Sequence, residues 1–288
     1  MQVKKLLSLI FLCYFSAVFP AFGQQSFSQP ELQYADLADL SLAAPLIVRV
    51  EIKKTIKIKP TQYQSDISAM GFGNIPTQRL YVEAKVTTLI RGQGGIPEMI
   101  RYVVDVPLDA RGKVPKLKKK AFLLFSLKNL EKEGEIQLVA PDAQISWNQN
   151  LEDRVRSVVR QVVTESVPPK ISGVDSAFHV AGNILGEGET QIFLDTNEDT
   201  NVAITVLRRP GQTKLWAVSL TELIDDAALP PQPNSLLWYR LACELPSRIP
   251  ASALGDNDNR QRRAVISDYE FVRRQLGSCN RTRTIRVR

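Results

Sequence analysis

Apolar and charged side chains alternate over residues 48–53 and again over 56–59, and this pattern is the strongest constraint that the sequence places on the fold. Val48, Val50, Ile52, Ile56 and Ile58 alternate there with Arg49, Glu51, Lys53, Lys57 and Lys59. Successive side chains of a β-strand point to opposite faces of the sheet, so a period of two predicts a strand with one buried face. The pattern returns over 80–90 and 100–106, and the apolar segments 121–127 and 135–140 complete five predicted strands.

These five strands, preceded by one helix, predict a small barrel-like domain. Ser28 and Glu31 have capping-box spacing before the helical pattern of residues 30–43, and Pro45 ends that pattern. Five strands and a helix within about 120 residues are too many for a flat sheet with one exposed face, but they suit a closed or partly open barrel. The order of elements is similar to that of the OB-fold. The predicted class is therefore α+β, with a five-stranded OB-like barrel in the N-terminal part.

A predicted helix over residues 151–163 separates the two halves of the chain. Its leucine and valines fall on one helical face, Asn150 is the predicted N-cap, and the prolines at 168 and 169 end it. We place the domain boundary at this helix, with a barrel-like domain over 24–148 and an α+β domain over 149–288.

The second domain is predicted to be a β-meander closed by two helices. The segments 190–195, 202–208 and 214–220 have strand composition, and Pro210-Gly211 fits the centre of a type II turn between the last two. One helix is predicted from Ser235 to about Leu245. The other ends at Gly277 and carries a heptad-like apolar series made of Val265, Tyr269, Val272 and Leu276.

The first 23 residues have the pattern of a secretory signal peptide. Lys4 and Lys5 form a positive segment, residues 6–18 are apolar, and Pro20 precedes an A-x-G pattern that ends at Gly23. The apolar run is shorter than the roughly 20 residues of a membrane span, and no later run approaches that length. We expect cleavage after Gly23 and a mature protein in the periplasm or outside the cell. An uncleaved N-terminal anchor is the alternative.

Export makes the two remaining cysteines, Cys243 and Cys279, candidates for a disulfide. Two thiols in an oxidising compartment usually pair, and this bond would link the two C-terminal helices. Two separately buried thiols are the alternative.

Residues 179–194 concentrate the single histidine with three glycines and two glutamates. The glycines at 182, 186 and 188 fit no phosphate-binding motif, and a strand follows them, so they predict a turn that leads into a hairpin. Asp175, four residues before His179, could orient an imidazole. One histidine without a nucleophile motif is nevertheless more typical of a strand residue than of a catalytic site.

Carboxylate pairs leave a hydrolase open as the alternative function. Asp105 with Asp109, or Asp256 with Asp258, could act as an acid and a base if their carboxyl groups lay at the required distance. The acidic loop at residues 195–200 lacks the glycine and the glutamate of a calcium-binding loop. We predict no metal site and no cofactor.

Basic residues cluster in one short segment of a chain whose net charge is +7. Six of them lie just before the strand at 121: Arg111, Lys113, Lys116, Lys118, Lys119 and Lys120. They either form a solvated loop that keeps a strand edge from pairing, or bind an anionic surface. The partners expected for an exported protein are envelope polymers, lipid headgroups or an envelope protein, and not nucleic acid. The arginine-rich C-terminal segment 281–288 is expected to be disordered.

Several segments resemble an uncharacterised family of exported proteins of Gram-negative bacteria. They include YADLADLSLAAPLIVRVEI, RYVVDVPLDARGKVPKLKKKAFLLF, GEGETQIFL, WYRLACELP and YEFVRRQLG. The resemblance covers nearly the whole mature chain, implies export and carries no activity, substrate or site residue. We therefore predict a non-enzymatic binding or scaffolding protein of the cell envelope.

Overall fold

The computed structural model describes residues 31–59, 75–164, 167–198, 200–220 and 229–283. The predicted signal peptide and its cleavage site at Gly23 lie outside these residues. The described residues from Leu32 onwards belong to one compact unit with mixed α+β structure, which confirms the predicted class.

The first helix, α1, spans Tyr34–Ala43 and begins later than the sequence pattern suggests. The predicted capping box of Ser28 and Glu31 is wrong, because Gln33 is the N-cap and Asp36 is its partner in the box. The Asp36 carboxylate accepts the Gln33 backbone N–H at 2.9 Å. This aspartate is fully buried, and its further contacts, described below, explain why the helix starts there.

An antiparallel sheet of six strands follows α1. Its strands are β1 (Leu46–Lys57), β2 (Thr77–Arg91), β3 (Met99–Pro107), β4 (Ala121–Lys128), β5 (Ile136–Leu138) and β6 (Gln144–Ser146). The order is β3-β2-β1-β4-β5, with β6 also paired to β4. The five strands predicted from the sequence are present, and β6 is an addition of only three residues, too short to show a period.

The described strands do not form a closed barrel, which is one of the two predicted forms, closed or partly open. The outer strands β3 and β5 meet at a single isolated parallel bridge between Arg101 and Glu135. Since β5 has only three residues, it can offer β3 few ladder hydrogen bonds, and the sheet stays open beyond this bridge.

The helix α2 (Gln149–Thr164) has the predicted apolar face. Leu151, Val155, Val158 and Val159 are buried, whereas Val163 is 65% exposed. The N-terminal cap is Asn148 and not Asn150, since the Asn148 side-chain oxygen accepts the Leu151 N–H at 2.8 Å. The buried face packs in one cluster with residues of α1 and β4, such as Leu37 and Phe125.

The C-terminal part is the predicted meander with its helices. Its strands are β7 (Ile171–Ala181), β8 (Gly188–Thr196), β9 (Val202–Arg208) and β10 (Leu215–Ser219), in the order β10-β9-β8-β7. They are followed by α3 (Leu236–Glu244), a short 3₁₀ helix (Ala251–Leu254) and α4 (Asn259–Leu276). Ser235 caps α3 through the Trp238 N–H, and Gly277 ends α4 with a φ of 73°. One face of the sheet packs on these helices, with Ile192, Ile204, Val265 and Tyr269 at its core. Within the described parts of the chain, no helix is both long and apolar enough to cross a bilayer.

Candidate anion-binding surface

The six basic residues predicted as a binding surface lie on the connection between β3 and β4, which we call the basic loop. All six, Arg111, Lys113, Lys116, Lys118, Lys119 and Lys120, are exposed. Most other described cations of the sheet pair with acids, as Lys85 pairs with Glu98 at 2.7 Å. None of the six side chains of the basic loop forms an ion pair or a hydrogen bond with any residue that the structure describes. Their charges are therefore available to a ligand.

The first part of the basic loop is held by Asp109. Its carboxylate accepts the backbone N–H groups of Arg111 and Lys113, each at 2.9 Å, and Gly112 has a φ of 70° that closes the turn. These backbone hydrogen bonds lower the pKa of Asp109, with those from Lys113 and then Arg111 as the main causes. The acid thus shapes the turn and orients the two basic residues outward.

The second part of the basic loop is fixed by backbone pairing to β1. The N–H of Lys119 donates to the Ile52 carbonyl at 2.8 Å, and the Ile52 N–H donates to the Lys120 carbonyl at 3.1 Å. Leu117 is buried between the lysines, and Lys119 adopts a positive φ of 66°. The lysine side chains consequently project from a constrained backbone and not from a loose loop.

Part of β1 has only one neighbouring strand beside the basic loop. β4 pairs with β1 over Leu46–Glu51, whereas beyond Ile52 the strand β1 pairs only with β2 among the described residues. Charged residues next to such an edge prevent pairing with another chain. Both explanations of the lysines, edge protection and anion binding, therefore fit this arrangement.

Lys53 and Lys85 lie beside the basic loop, each paired with an acid, and sequence reasoning missed this. The sheet register pairs Glu51 with Lys85 on β2. The pKa of Glu51 is lowered first by its hydrogen bond to Lys53, then by the charge of Lys53, and after these by the charges of Lys119 and Lys85. Alternation alone could place these lysines on exposed faces, but only the register brings them beside the basic loop.

The carboxylates proposed for a hydrolase have other partners. Asp105 is buried and binds Arg79 through two hydrogen bonds of 2.8 and 2.6 Å. Asp258 is the N-cap of α4 and accepts the N–H groups of its first turn, which lowers its pKa. Asp109 shapes the basic loop, and Asp256 is exposed. Three of the four acids therefore already have a structural task.

The glycine-rich segment forms the predicted hairpin between β7 and β8. The Gly182 N–H donates to the Glu187 carbonyl at 3.0 Å, and Gly186 has a φ of 89°. His179 is a strand residue, as predicted. Asp175, the residue considered for orienting its ring, bonds Ser176 instead, because a β-bulge between Val174 and Ser176 directs it to the exposed face.

His179 nevertheless belongs to a buried polar network that the sequence did not reveal, here called the Asp268 cluster. Its members are His179, Thr190, Arg208, Lys214 and Asp268. The Thr190 hydroxyl donates to Asp268 at 2.5 Å, so it accepts from the Nδ1–H of His179 at 2.8 Å, and Nε2 carries the ring's lone pair. Arg208 and Lys214 bind the same carboxylate at 2.8 and 2.7 Å.

The environment of the Asp268 cluster keeps the imidazole neutral. Burial is the largest cause of the lowered pKa of His179, followed by the charge of Arg208, while Asp268 acts in the opposite direction. The partners lie up to 78 residues apart in the chain, so no local pattern could have indicated them.

Cys243 and Cys279 form the predicted disulfide between α3 and the segment that follows α4, with Cα atoms 5.0 Å apart. The residues after it are ordered, which contradicts the expectation of a disordered segment as far as Arg283. Arg281 binds Asp39 at 3.0 Å, and Arg283 binds Asp142 at 2.5 Å. The backbone N–H of Thr282 donates to Asp36 at 2.9 Å. The chain end therefore connects the C-terminal helices to α1, and residues 284–288 lie outside the described part.

No protein-family model matches the chain, and no curated protein is significantly similar to it.

Proposed function

We propose that this is an exported, non-enzymatic binding or scaffolding protein of the bacterial cell envelope, and that its basic loop binds an anionic surface. The observation that carries this proposal is the group of six exposed cations on a constrained backbone, without ion pairs among the described residues. Like charges repel when they are held close together, and a polyanion relieves that repulsion. The phosphates of lipid headgroups are the simplest polyanion that an exported protein meets.

The expected energy of such binding is substantial. A lysine or arginine near an anionic membrane contributes about 1 kcal/mol, and the attraction decays within the Debye length of about 10 Å at 0.1 M salt. Several cations on one surface therefore suffice for reversible binding that salt weakens.

The proposed compartment rests on two features. The disulfide between Cys243 and Cys279 is typical of an oxidising compartment. The first 23 residues have a signal-peptide pattern, and the intact mass of the exported protein tests it. We expect the mass of a chain that begins at Gln24. The mass of a chain that still includes Met1 would contradict export by cleavage.

We also propose that the N-terminal sheet is a partly open barrel of the OB type. The support is the strand order, with β1 between β2 and β4, and the parallel bridge that brings β3 to β5. An experimental structure in which β3 forms continuous hydrogen bonds with β5 would contradict the partly open form.

The experiment for the binding surface is cosedimentation with phosphatidylglycerol vesicles. The variant Lys116→Gln, Lys118→Gln, Lys119→Gln, Lys120→Gln removes four positive charges from the basic loop. We expect its affinity to fall at least about tenfold, which corresponds to about 1.4 kcal/mol. Parent binding should also weaken strongly as the salt concentration rises roughly tenfold, from about 0.05 to about 0.5 M.

A matched variant separates the basic loop from net charge. Arg160, Lys170, Arg260 and Arg263 are exposed cations outside it, and their replacement by glutamine removes the same charge. This control should bind as the parent does. Equal losses of vesicle affinity in both variants would mean that only net charge matters. A parent protein that does not bind phosphatidylglycerol vesicles would contradict a lipid surface.

A further inference from the structure

The C-terminal end of α4 is fixed to α3. The disulfide joins Cys243 on α3 to Cys279, just after the last residue of α4. The Trp238 indole N–H, also on α3, donates to the Leu276 carbonyl at 2.9 Å. A covalent bond and a hydrogen bond therefore hold this end of the helix in place.

The start of α4 covers the outer edge of β7. This strand is the last of its sheet and pairs only with β8 among the described strands. The Asn257 side chain, just before the helix, donates to the Ala177 carbonyl at 2.8 Å, and Gln261 on the first turn donates to the His179 carbonyl at 3.2 Å. Hydrogen bonds between neutral groups add little net stability. The start of α4 is therefore the end that opens more easily.

The His179 side chain is connected to the same part of α4 through the Asp268 cluster. The charged groups that face its ring are Arg208 of β9, Lys214 before β10 and Asp268 of α4. Two cations thus share one carboxylate, so the cluster has an excess of positive charge while the ring is neutral. A proton on His179 adds to this excess at a buried position, where charges interact strongly.

Little space is left for the His179 ring to turn away from these cations. The imidazole is buried, and a Cβ at Gly188 would lie 2.6 Å from its Cε1 and 2.7 Å from its Nε2, so this edge of the ring is in close contact with β8. Arg208 is in turn held by α4, since its Nη2 donates to the Ala264 carbonyl at 2.8 Å. Full hydration of an imidazolium at this position therefore requires that the start of α4 moves away.

We propose that His179 is an acid-sensitive switch. Its protonation releases the start of α4, residues 257–268, from β7 and uncovers the carbonyls of Ala177 and His179, while the disulfide keeps the other end of the helix in place. The chain has a single histidine, and histidine is the side chain whose ordinary charge change falls between pH 5 and pH 8. This switch does not depend on the basic loop or on anion binding.

Proton linkage determines the size of the effect. In the opened form the imidazole is hydrated and has its ordinary pKa of about 6.5, whereas burial and then the charge of Arg208 lower its pKa in the docked form. The opened form therefore binds the proton more readily, and the docked form is fully stable only above that value. Below it, the equilibrium constant for opening rises by up to about tenfold for each pH unit, until the pH reaches the lowered pKa of the docked form.

The experiment is amide hydrogen exchange of the oxidised protein, for the parent and for His179→Gln, at pH 8 and pH 5.5. At each pH the exchange rate of residues 263–268 in the parent is divided by the rate in the variant, so that the chemical effect of pH on exchange cancels. This ratio should rise by roughly three- to tenfold from pH 8 to pH 5.5. The same ratio for the amides of α2 should stay constant.

Two acids of α4 are accounted for in this design. Asp258, the N-cap, accepts the N–H groups of Gln261 and Arg260, which lowers its pKa, so it stays ionised at pH 5.5. Glu270→Gln removes an exposed carboxylate from α4 and should keep the pH dependence of the parent. The ring of the single histidine also gives its own NMR titration, which should have a midpoint below about pH 6.5.

The proposal fails if the exchange ratio does not change with pH, if α2 shows the same change as α4, or if Glu270→Gln also loses the pH dependence. A ring titration with a midpoint at or above about pH 6.5 overturns it as well. If His179→Gln does not fold, this titration and the exchange of α4 relative to α2 in the parent decide, because both are measured on the parent alone.

Discussion

Two groups of basic side chains lie in opposite environments in this protein. In the Asp268 cluster, Arg208 and Lys214 bind one carboxylate that is fully buried. In the basic loop, lysines such as Lys118 and Lys120 are exposed, and their side chains form no ion pair or hydrogen bond with a described residue. The first group connects the meander to α4, because Asp268 lies on that helix and Arg208 on β9.

This difference separates the cations that stabilise the fold from the cations that are available to a partner. Removing one member of a buried ion network leaves other charges desolvated and unpaired, which is costly. Removing an exposed, unpaired cation changes the unfolding free energy little. The same residue types should therefore give opposite results in stability and in binding experiments.

The largest expected effect follows from Asp268→Asn. It leaves Arg208 and Lys214 without their carboxylate, and we expect a loss of about 3–5 kcal/mol in the free energy of unfolding. Urea denaturation measures it. Glu270→Gln, on the exposed side of the same helix, is the control and should cost less than about 0.5 kcal/mol. Similar values for both variants would remove the contrast between the two groups of cations.

The disulfide gives the next effect. It joins residues 36 positions apart, and in the chain-entropy model its loss should cost about 3–4 kcal/mol. The measurement compares the parent with the double variant Cys243→Ala, Cys279→Ala. A parent that shows two free thiols in a non-reducing peptide map would contradict the bond itself.

Gly188→Ala tests the packing around His179. A Cβ at this position would lie 2.6 Å from the Cε1 of His179 and 2.8 Å from the Val180 carbonyl oxygen. Because backbone must move, we expect a loss of about 1–3 kcal/mol.

Gly186→Ala is the comparison within the same hairpin. Its Cβ would meet open space, so only the positive φ of 89° opposes it, at a cost of about 1 kcal/mol. Thermal unfolding of both variants decides whether close contact or backbone conformation matters more here. A larger loss for Gly186→Ala would contradict the tight packing against His179.

The pH dependence of stability tests the neutral state of His179. Its pKa is lowered in the folded protein, so the unfolded chain binds the proton more readily. Stability should therefore be complete above the unfolded value of about 6.5 and should decrease as the pH falls below it. In His179→Gln, unfolding free energies at pH 8 and pH 5.5 should differ less than in the parent. An equal difference in both proteins would show that His179 does not contribute.

The smallest effect on stability is expected for the four-lysine variant of the basic loop. Its free energy of unfolding should stay within about 0.5 kcal/mol of the parent value while vesicle binding falls. A loss of several kcal/mol would mean that these lysines, like Arg208 and Lys214, hold the fold.

Local patterns in the sequence determined much of this structure. The alternation around Val50, the helical face with Val155 and Val158, the Ser235 cap and the Pro210-Gly211 turn all depend on residues close together in the chain. Hydrophobic periodicity and backbone preferences act over a few residues, so they are readable before the fold is known. The disulfide was also predictable, because only two of the three cysteines lie outside the predicted signal peptide.

Tertiary structure alone decided which distant residues meet. The register of β7 and β8 places Thr190 beside His179, and α4 then brings Asp268 to both. The docking of Arg283 on Asp142 joins residues 141 positions apart. The opening between β3 and β5 likewise depends on how far the sheet closes. Such contacts depend on the packing of whole helices and strands against one another, and no short-range pattern in the sequence indicates these contacts.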